Sequence, residues 1–121
     1  MILADTSVWV EHLRRRDDRL ADLLERAQVT CHPFVMGELA LGSLKRRTDI
    51  LALLATLPMA VVVRDNEVLT LIEQRRLFGT GLGWVDVHLL ASAVITQTPL
   101  WTLDRRLATA ARALAVSARA S

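Results

Sequence analysis

With 121 residues the chain is long enough for one domain with a well-developed core, and its apolar fraction of 52% lies slightly above the usual range. The net charge is +2, and Lys45 is the only lysine among 15 basic residues, so arginines dominate the positive charge. The single cysteine, Cys31, excludes an internal disulfide, and no stretch approaches the ~20 apolar residues of a membrane helix. Because Asp5 interrupts the first apolar run, we expect no signal peptide and a cytoplasmic protein.

Short apolar runs alternate with helical periods along the chain, beginning with the strand-like "MILA" and the helix-like "SVWVEHLRR". The predicted elements are, in chain order, a strand at 1–4, helices at 7–15 and 17–27, a strand at 29–32, helices at 33–44 and 48–57, a strand at 59–63, a helix at 65–78, a loop at 79–83, a helix at 84–95, a strand at 99–103 and a helix at 104–114. The β-branched run "MAVVV" is the clearest strand. We expect Thr48 or Asp49 near the start of its helix, and Asp65 or Asn66 as the cap of the next one.

Alternation of strands and helices predicts a single α/β domain over residues 1–121 with a mainly parallel sheet. Parallel strands that are buried on both faces read as continuous apolar runs, as these do. In open sheets of this kind, ligand sites lie beyond the carboxyl ends of the strands. Asp5 follows the first predicted strand and Asp104 follows "LWTL", so we expect both acids at that edge of the sheet.

Two further acids stand out because apolar residues surround them: Glu38 in "FVMGELALG" and Asp86 in "GWVDVHLLASA". Each of the four acids alone has a simpler explanation, since the aspartates could cap helices and Glu38 could be a partly exposed helix residue. If the four converge, their repulsion would raise their pKa values unless a cation is present, and Mg²⁺ and Mn²⁺ favour such oxygen ligands. The three histidines lack the spacing of a zinc site.

Four segments together resemble the VapC toxins, PIN-domain nucleases of bacterial type II toxin–antitoxin pairs. They are the opening "ILADTSVWVEHL", then "GELALG" with Glu38, "DVHLLASA" with Asp86, and "LWTLDRRL" with Thr102 and Asp104. The resemblance spans nearly the whole chain. It implies a three-layer α/β/α sandwich with a mainly parallel central sheet, Mg²⁺- or Mn²⁺-dependent endoribonuclease activity, and inhibition by a VapB-like antitoxin.

The last motif departs from the family pattern, which often has a second Asp and then a Phe. Here those places hold Arg106 and Leu107, so Asp104 is the only acid of the motif. The predicted chemistry uses one or two divalent ions, whose bound water attacks an RNA phosphodiester in line. The predicted site comprises the catalytic and metal-binding acids Asp5, Glu38, Asp86 and Asp104, the hydroxyls of Thr6, Ser7 and Thr102 that orient a carboxylate or water, and the RNA-binding Arg105 and Arg106.

The apolar excess, together with the resemblance, predicts a homodimer that also binds a VapB-like antitoxin. Two other functions remain open at this point. A phosphoacceptor receiver domain is also α/β, and Asp65 could be its acceptor, but that class needs a lysine after a late strand and the chain has only Lys45. A non-catalytic RNA- or partner-binding module could keep the same fold. Metal-dependent cleavage that an acid mutant lacks would separate that module from an enzyme.

Overall fold

The computed structural model describes residues 1–118, and the last three residues of the predicted domain lie outside that range. A parallel sheet forms its centre, in the order β2-β1-β3. The strands are β1 (Ile2–Ala4), β2 (Val29–Thr30) and β3 (Leu100–Trp101). In the register, Leu3 lies opposite Thr30 on one side and Leu100 on the other. The predicted parallel sheet is confirmed, although each strand is shorter than the apolar run that contains it.

Helices account for most of the other described residues. They are α1 (Thr6–Arg14), α2 (Asp18–Glu25), α3 (Pro33–Leu41), α4 (Arg47–Ala55), α5 (Asp65–Arg75), α6 (Trp84–Thr96) and α7 (Arg105–Ala113). Each overlaps its predicted range, and no end differs by more than three residues. Differences of this size are common at helix termini, where the last turn frays.

Residues at the N-caps fix where these helices start. His32 precedes α3, and its Nδ1 accepts a hydrogen bond from the Phe34 amide at 2.9 Å. The cap predicted for α5 is wrong, because Arg64 occupies that position instead of Asp65 or Asn66. Both polar residues lie inside the first turn, where the charge of Asp65 still favours the positive end of the helix dipole.

The β-branched run 59–63 is not a strand, which corrects the clearest strand prediction. Only Met59 pairs, through one isolated parallel bridge to Cys31. The neighbouring strand cannot continue further, because Pro33 lacks an amide hydrogen and already begins α3. The rest of the run therefore has no ladder partner within residues 1–118, and Val63 is buried in a small cluster with residues of α5 and α6.

The sheet is covered on both faces. Leu3 and Ala4 point to opposite faces of β1, and their exposed fractions are 1% and 0%. The strand order agrees with this, because the chain runs from β1 to β2 on one side and later returns past β1 to β3 on the other. Crossovers of the usual right hand in these two directions place helices on opposite faces. The helices pack mainly as the series α1–α3–α4 and α5–α6–α7, which gives the predicted three-layer α/β/α fold. Among residues 1–118, no helix combines the length and the apolar character that a bilayer span requires.

Candidate active site

The centre of the candidate site is the carboxylate of Asp5. In the register Ala4 pairs with Trp101, so the residues that follow them leave the same edge of the sheet side by side. The Thr102 hydroxyl donates to Asp5 Oδ2 at 2.7 Å, and the Ser7 hydroxyl donates to the same oxygen at 2.8 Å. Asp5 is only 6% exposed. Two hydroxyls thus stabilise a buried carboxylate, which makes no capping bond to α1 although it occupies the N-cap position.

A third hydroxyl links Glu38 to the same region. Thr6, the first residue of α1, donates its hydroxyl hydrogen bond to Glu38 Oε1 at 2.6 Å. The helices α1 and α3 pack together, which brings Glu38 across to the start of α1. Glu38 itself is exposed, so its carboxylate is accessible from solvent. The three predicted orienting hydroxyls, those of Thr6, Ser7 and Thr102, therefore all contact one of the predicted acids.

Asp86 shows that the four acids converge. Burial raises the pKa of the Asp86 carboxyl above its usual value, and the negative charges of Asp5, Asp104 and Glu38 raise it further. The backbone amide of Gly83 donates to Asp86 Oδ2 at 2.9 Å and partly offsets the rise. The acids thus come from α3, α6 and the ends of two strands, and the charges of the other three act on Asp86.

Asp104 is the fourth acid of the site and comes from the C-terminal part of the chain. It caps α7, and its Oδ1 accepts from the Leu107 amide at 3.0 Å. Its own amide donates to Thr102 Oγ1 at 3.0 Å, and the Leu103 amide donates to Ser7 Oγ at 2.9 Å. These bonds attach the segment after β3 to the start of α1. Asp104 is exposed, whereas Asp5 is buried, so the two acids differ in accessibility.

Within the part of the chain that the structure describes, no basic side chain pairs with an acid of this cluster. Other acids pair with arginines, as Glu11 does with Arg15 and Asp22 with Arg26, but none of the four site acids forms an ion pair within residues 1–118. Each of the four also keeps one oxygen that no hydrogen bond reaches in the described range. These oxygens are Asp5 Oδ1, Glu38 Oε2, Asp86 Oδ1 and Asp104 Oδ2. The site therefore has free anionic oxygens and an unbalanced negative charge.

The donor set suits a hard divalent cation such as Mg²⁺ or Mn²⁺. Free carboxylate oxygens are the ligands that these ions prefer, and a positive charge would offset the repulsion seen at Asp86. The carboxylates do not form a closed ligand set by themselves, since residues 1–118 contain no group of three acids, histidines or cysteines close enough for direct metal binding. Some of the ligands would therefore act through water, as Mg²⁺ sites commonly allow.

Comparison with known proteins agrees with this geometry. The family model for the PIN domain matches residues 2–113, nearly the whole chain. The chain belongs to the PIN-domain family. Two relatives, both named Ribonuclease VapC32 and from two strains of Mycobacterium tuberculosis, are 55% identical over 108 residues, which cover 88% of this chain and 87% of theirs. The VapC resemblance of the four motifs is confirmed, and the chain is a VapC-type PIN protein.

Four aromatic rings that the sequence did not single out as a group lie next to the acids of this PIN domain. His32, Phe34, Trp84 and His88 form a chain of edge-to-face contacts. Their ring centroids lie 4.7–5.0 Å apart along that chain. Trp84 begins α6, two residues before Asp86, and so the rings support the start of that helix. The sequence alone does not predict this group, because the aromatic residues at 32–34 and 84–88 have no common periodicity.

Asp65 is not part of the acid cluster. It begins α5, follows no strand, and its Oδ1 lies 3.2 Å from Nε2 of the buried His88. The receiver-domain alternative needed this acid at the carboxyl end of a strand. Its position, together with the family, rules that alternative out.

The predicted RNA-binding arginines lie in the first turn of α7. Arg105 and Arg106 are both exposed, as expected. Arg106 also lies against Gly81, in the loop 79–83 that leads to Asp86. The sequence predicted the loop but not this contact, because glycine spacing alone does not reveal which side chain fills the space above it.

Proposed function

We propose that this VapC-type protein is the toxin of a toxin–antitoxin pair and an endoribonuclease that requires Mg²⁺ or Mn²⁺. The observation that carries the proposal is the group of four acids, each with a free carboxylate oxygen and none in an ion pair within residues 1–118; burial raises the pKa of Asp86, and the charges of the other three acids raise it further. Such a cluster is stable at neutral pH when a cation balances it. The two relatives named as ribonucleases support RNA as the substrate.

The chain's own residues have distinct tasks in this proposal. Asp5, Glu38, Asp86 and Asp104 would hold the ion, directly or through water. Ser7 and Thr102 fix the orientation of the Asp5 carboxylate, and Thr6 fixes that of Glu38. When bound, such an ion makes a water more acidic and offsets the negative charge that builds up on the phosphate. Arg105 and Arg106 would bind the RNA backbone, a contribution that weakens as salt rises.

Replacement of Asp5 by asparagine tests the enzymatic part. The substitution keeps the shape of the side chain but removes the charge at the centre of the site. We expect Asp5→Asn to lose metal-dependent cleavage of RNA and to relieve growth arrest after induction, while circular dichroism shows a folded protein. Glu73→Gln is a matched control, because Glu73 is an exposed acid of α5 that forms no ion pair within residues 1–118.

Two outcomes would contradict the enzymatic proposal. One is cleavage by Asp5→Asn at the wild-type rate. The other is full wild-type activity after EDTA treatment, without Mg²⁺ or Mn²⁺ added back. A non-catalytic binding module would show RNA binding without cleavage in both the wild type and the variant.

The proposed antitoxin would be a VapB-like protein with an amphipathic helix. A groove of about 660 Å³ runs between α1 and α4, with Val10 and Leu53 partly exposed in its lining. Its rim includes Arg14, Lys45 and Arg46, so an apolar helix with acidic flanks fits its chemistry. Leu53→Glu should weaken capture of the small protein encoded beside the toxin, and Leu69→Glu on α5 serves as the control. Equal capture by both variants would exclude this groove.

We also propose a homodimer that acts in the cytoplasm, where its RNA substrates are. Large apolar side chains remain exposed on the single chain, among them Leu41 at 91% and Phe78 at 60%. Packing against a second copy would remove such apolar surface from water. Light scattering at micromolar concentration should give twice the mass of one chain. A single-chain mass under those conditions would contradict the dimer.

A further inference from the structure

The side chain of Arg106 occupies the space that a side chain at position 81 would need. A Cβ atom built on Gly81 would lie 2.9 Å from Cδ, 3.0 Å from Nε and 3.1 Å from Cζ of Arg106. A Cβ atom essentially never lies 2.9 Å from a neighbouring atom, so a side chain at position 81 would make the flexible end of Arg106 move from the place where it lies. Gly81 also has φ +85°, which side chains rarely adopt. The observed position of Arg106 therefore depends on the absence of a side chain at position 81.

The charged end of Arg106 has no anionic partner among the residues that the structure describes. Within residues 1–118 it forms neither an ion pair nor a hydrogen bond, although four carboxylates belong to the neighbouring site. Arg106 lies two residues after Asp104. Gly81 lies two residues before Gly83, whose amide donates a hydrogen bond to Asp86. The contact thus joins the two segments that supply these acids. The guanidinium group keeps its five donors for a ligand.

We infer that Gly81 is a positioning residue, which holds the guanidinium of Arg106 where it binds a phosphate of the RNA backbone beside the acid cluster. This inference rests on the proposed function, because it assumes that RNA is the substrate. The physical need is clear, since a phosphodiester that approaches four carboxylates is repelled by them. A planar arginine can bind two phosphate oxygens at once, and its orientation then decides how well it does so. An arginine that no longer packed against Gly81 would lose that orientation.

The test compares two glycines of the same loop. Gly79 also has positive φ, at +72°, but a Cβ there would meet no atom within 4 Å. Alanine at either position strains the backbone, and only alanine at 81 displaces Arg106. We therefore expect Gly81→Ala to raise KM for a fluorogenic single-stranded RNA about tenfold, the loss typical of one charge-assisted hydrogen bond, with kcat changed less than threefold. Gly79→Ala should keep KM within twofold of wild type.

Binding without cleavage gives a second readout. Anisotropy of a fluorescein-labelled single-stranded RNA in EDTA should show weaker binding for Gly81→Ala and Arg106→Ala. For both, the slope of log affinity against log salt should be about 0.7–1 smaller in magnitude than for wild type, as expected for one lost phosphate contact. Because Gly81 acts through Arg106, the double variant Gly81→Ala/Arg106→Ala should match Arg106→Ala alone. Thermal unfolding of each variant shows whether it is folded under the assay conditions.

Three results would overturn the inference. They are additive effects of Gly81→Ala and Arg106→Ala, an equal loss of RNA affinity in Gly79→Ala, and unchanged KM and salt slope in Gly81→Ala. Failure of the proposed function looks different, since wild type would then show no cleavage that Asp5→Asn abolishes. The anisotropy measurements do not need cleavage and judge the role of Gly81 separately.

Discussion

Replacement of Thr102 by valine removes one of the two hydroxyls that hydrogen-bond to the buried carboxylate of Asp5. Valine has nearly the same shape as threonine, so the packing around position 102 changes little. The lost bond is short, at 2.7 Å, and its acceptor is only 6% exposed, so water cannot readily replace the hydroxyl. We therefore expect Thr102→Val to destabilise the fold and also to lower activity, because the orientation of Asp5 becomes less defined.

The size of the effect follows from the type of bond. A hydrogen bond to a charged group contributes about 1.5–3 kcal/mol, so we take about 2 kcal/mol for Thr102. The hydroxyl also accepts from the Asp104 amide and lies 3.3 Å from Ser7 Oγ. The first of these adds little because Asp104 is exposed and water can take over, and the second is long. For 121 residues the entropy of unfolding is about 250 cal/mol/K, so the melting temperature should fall by about 8 °C.

Thermal unfolding followed by circular dichroism measures the shift, with Thr70→Val as the control. Thr70 lies on the exposed side of α5, and its hydroxyl bonds only to the Asn66 carbonyl in its own helix. The control should stay within about 0.5 kcal/mol of wild type. In an Asp5→Asn background, Thr102→Val should destabilise less, because the bond then reaches a neutral amide. An unchanged melting temperature in Thr102→Val, or the same loss in both backgrounds, would refute this reasoning.

Two further predictions concern metal and pH. Asp104→Asn should lower the affinity for the metal and slow cleavage without abolishing it, because Asp104 is an exposed acid at the rim. Raised Mn²⁺ should partly restore the rate of this variant but not that of Asp5→Asn. If Asp104→Asn cleaved RNA with the metal dependence of the wild type, Asp104 would not belong to the site. Burial, together with the nearby charge of His88, lowers the pKa of His32 from 6.5 to about 4. Between those pH values the unfolded chain binds a proton that the folded protein does not, so stability should fall by about 3 kcal/mol as pH drops from 6.5 to 4. Urea titrations should show this loss, and His32→Asn, which keeps a capping acceptor, should show a smaller one; an equal loss in the variant would assign it to other groups.

The sequence predicted the helices well, and it singled out four acids that the structure brings near one another, for physical reasons that can be named. Asp5 and Asp104 follow apolar strands, and parallel strands bring such ends to one edge of the sheet. Glu38 and Asp86 interrupt apolar helices, where an acid has few explanations other than a functional role. The sequence pattern therefore singled out these acids. Their proximity depends on the packing of α3 against α1 and of α6 against its neighbours.

What the sequence missed depends on contacts and not on propensity. The run 59–63 has the composition of a strand, but a strand also needs a partner, and β2 ends too soon to supply one. The contact of Arg106 with Gly81 depends on a backbone angle and on the path of a long side chain. Neither the backbone angle nor the path of the side chain produces a periodic pattern in the sequence.

The hydrogen bond from Thr102 to Asp5 joins residues 97 positions apart, and it has a consequence for synthesis of the protein. A growing chain that has not yet reached residue 102 contains Asp5, Glu38 and Asp86 but lacks Asp104 and one of the two hydroxyls that orient Asp5. Contacts of such long range also form slowly, because the chain must close a large loop first. The proposed site is therefore incomplete until the last part of the chain has been made, and the full acid cluster forms only after nearly all of the protein exists.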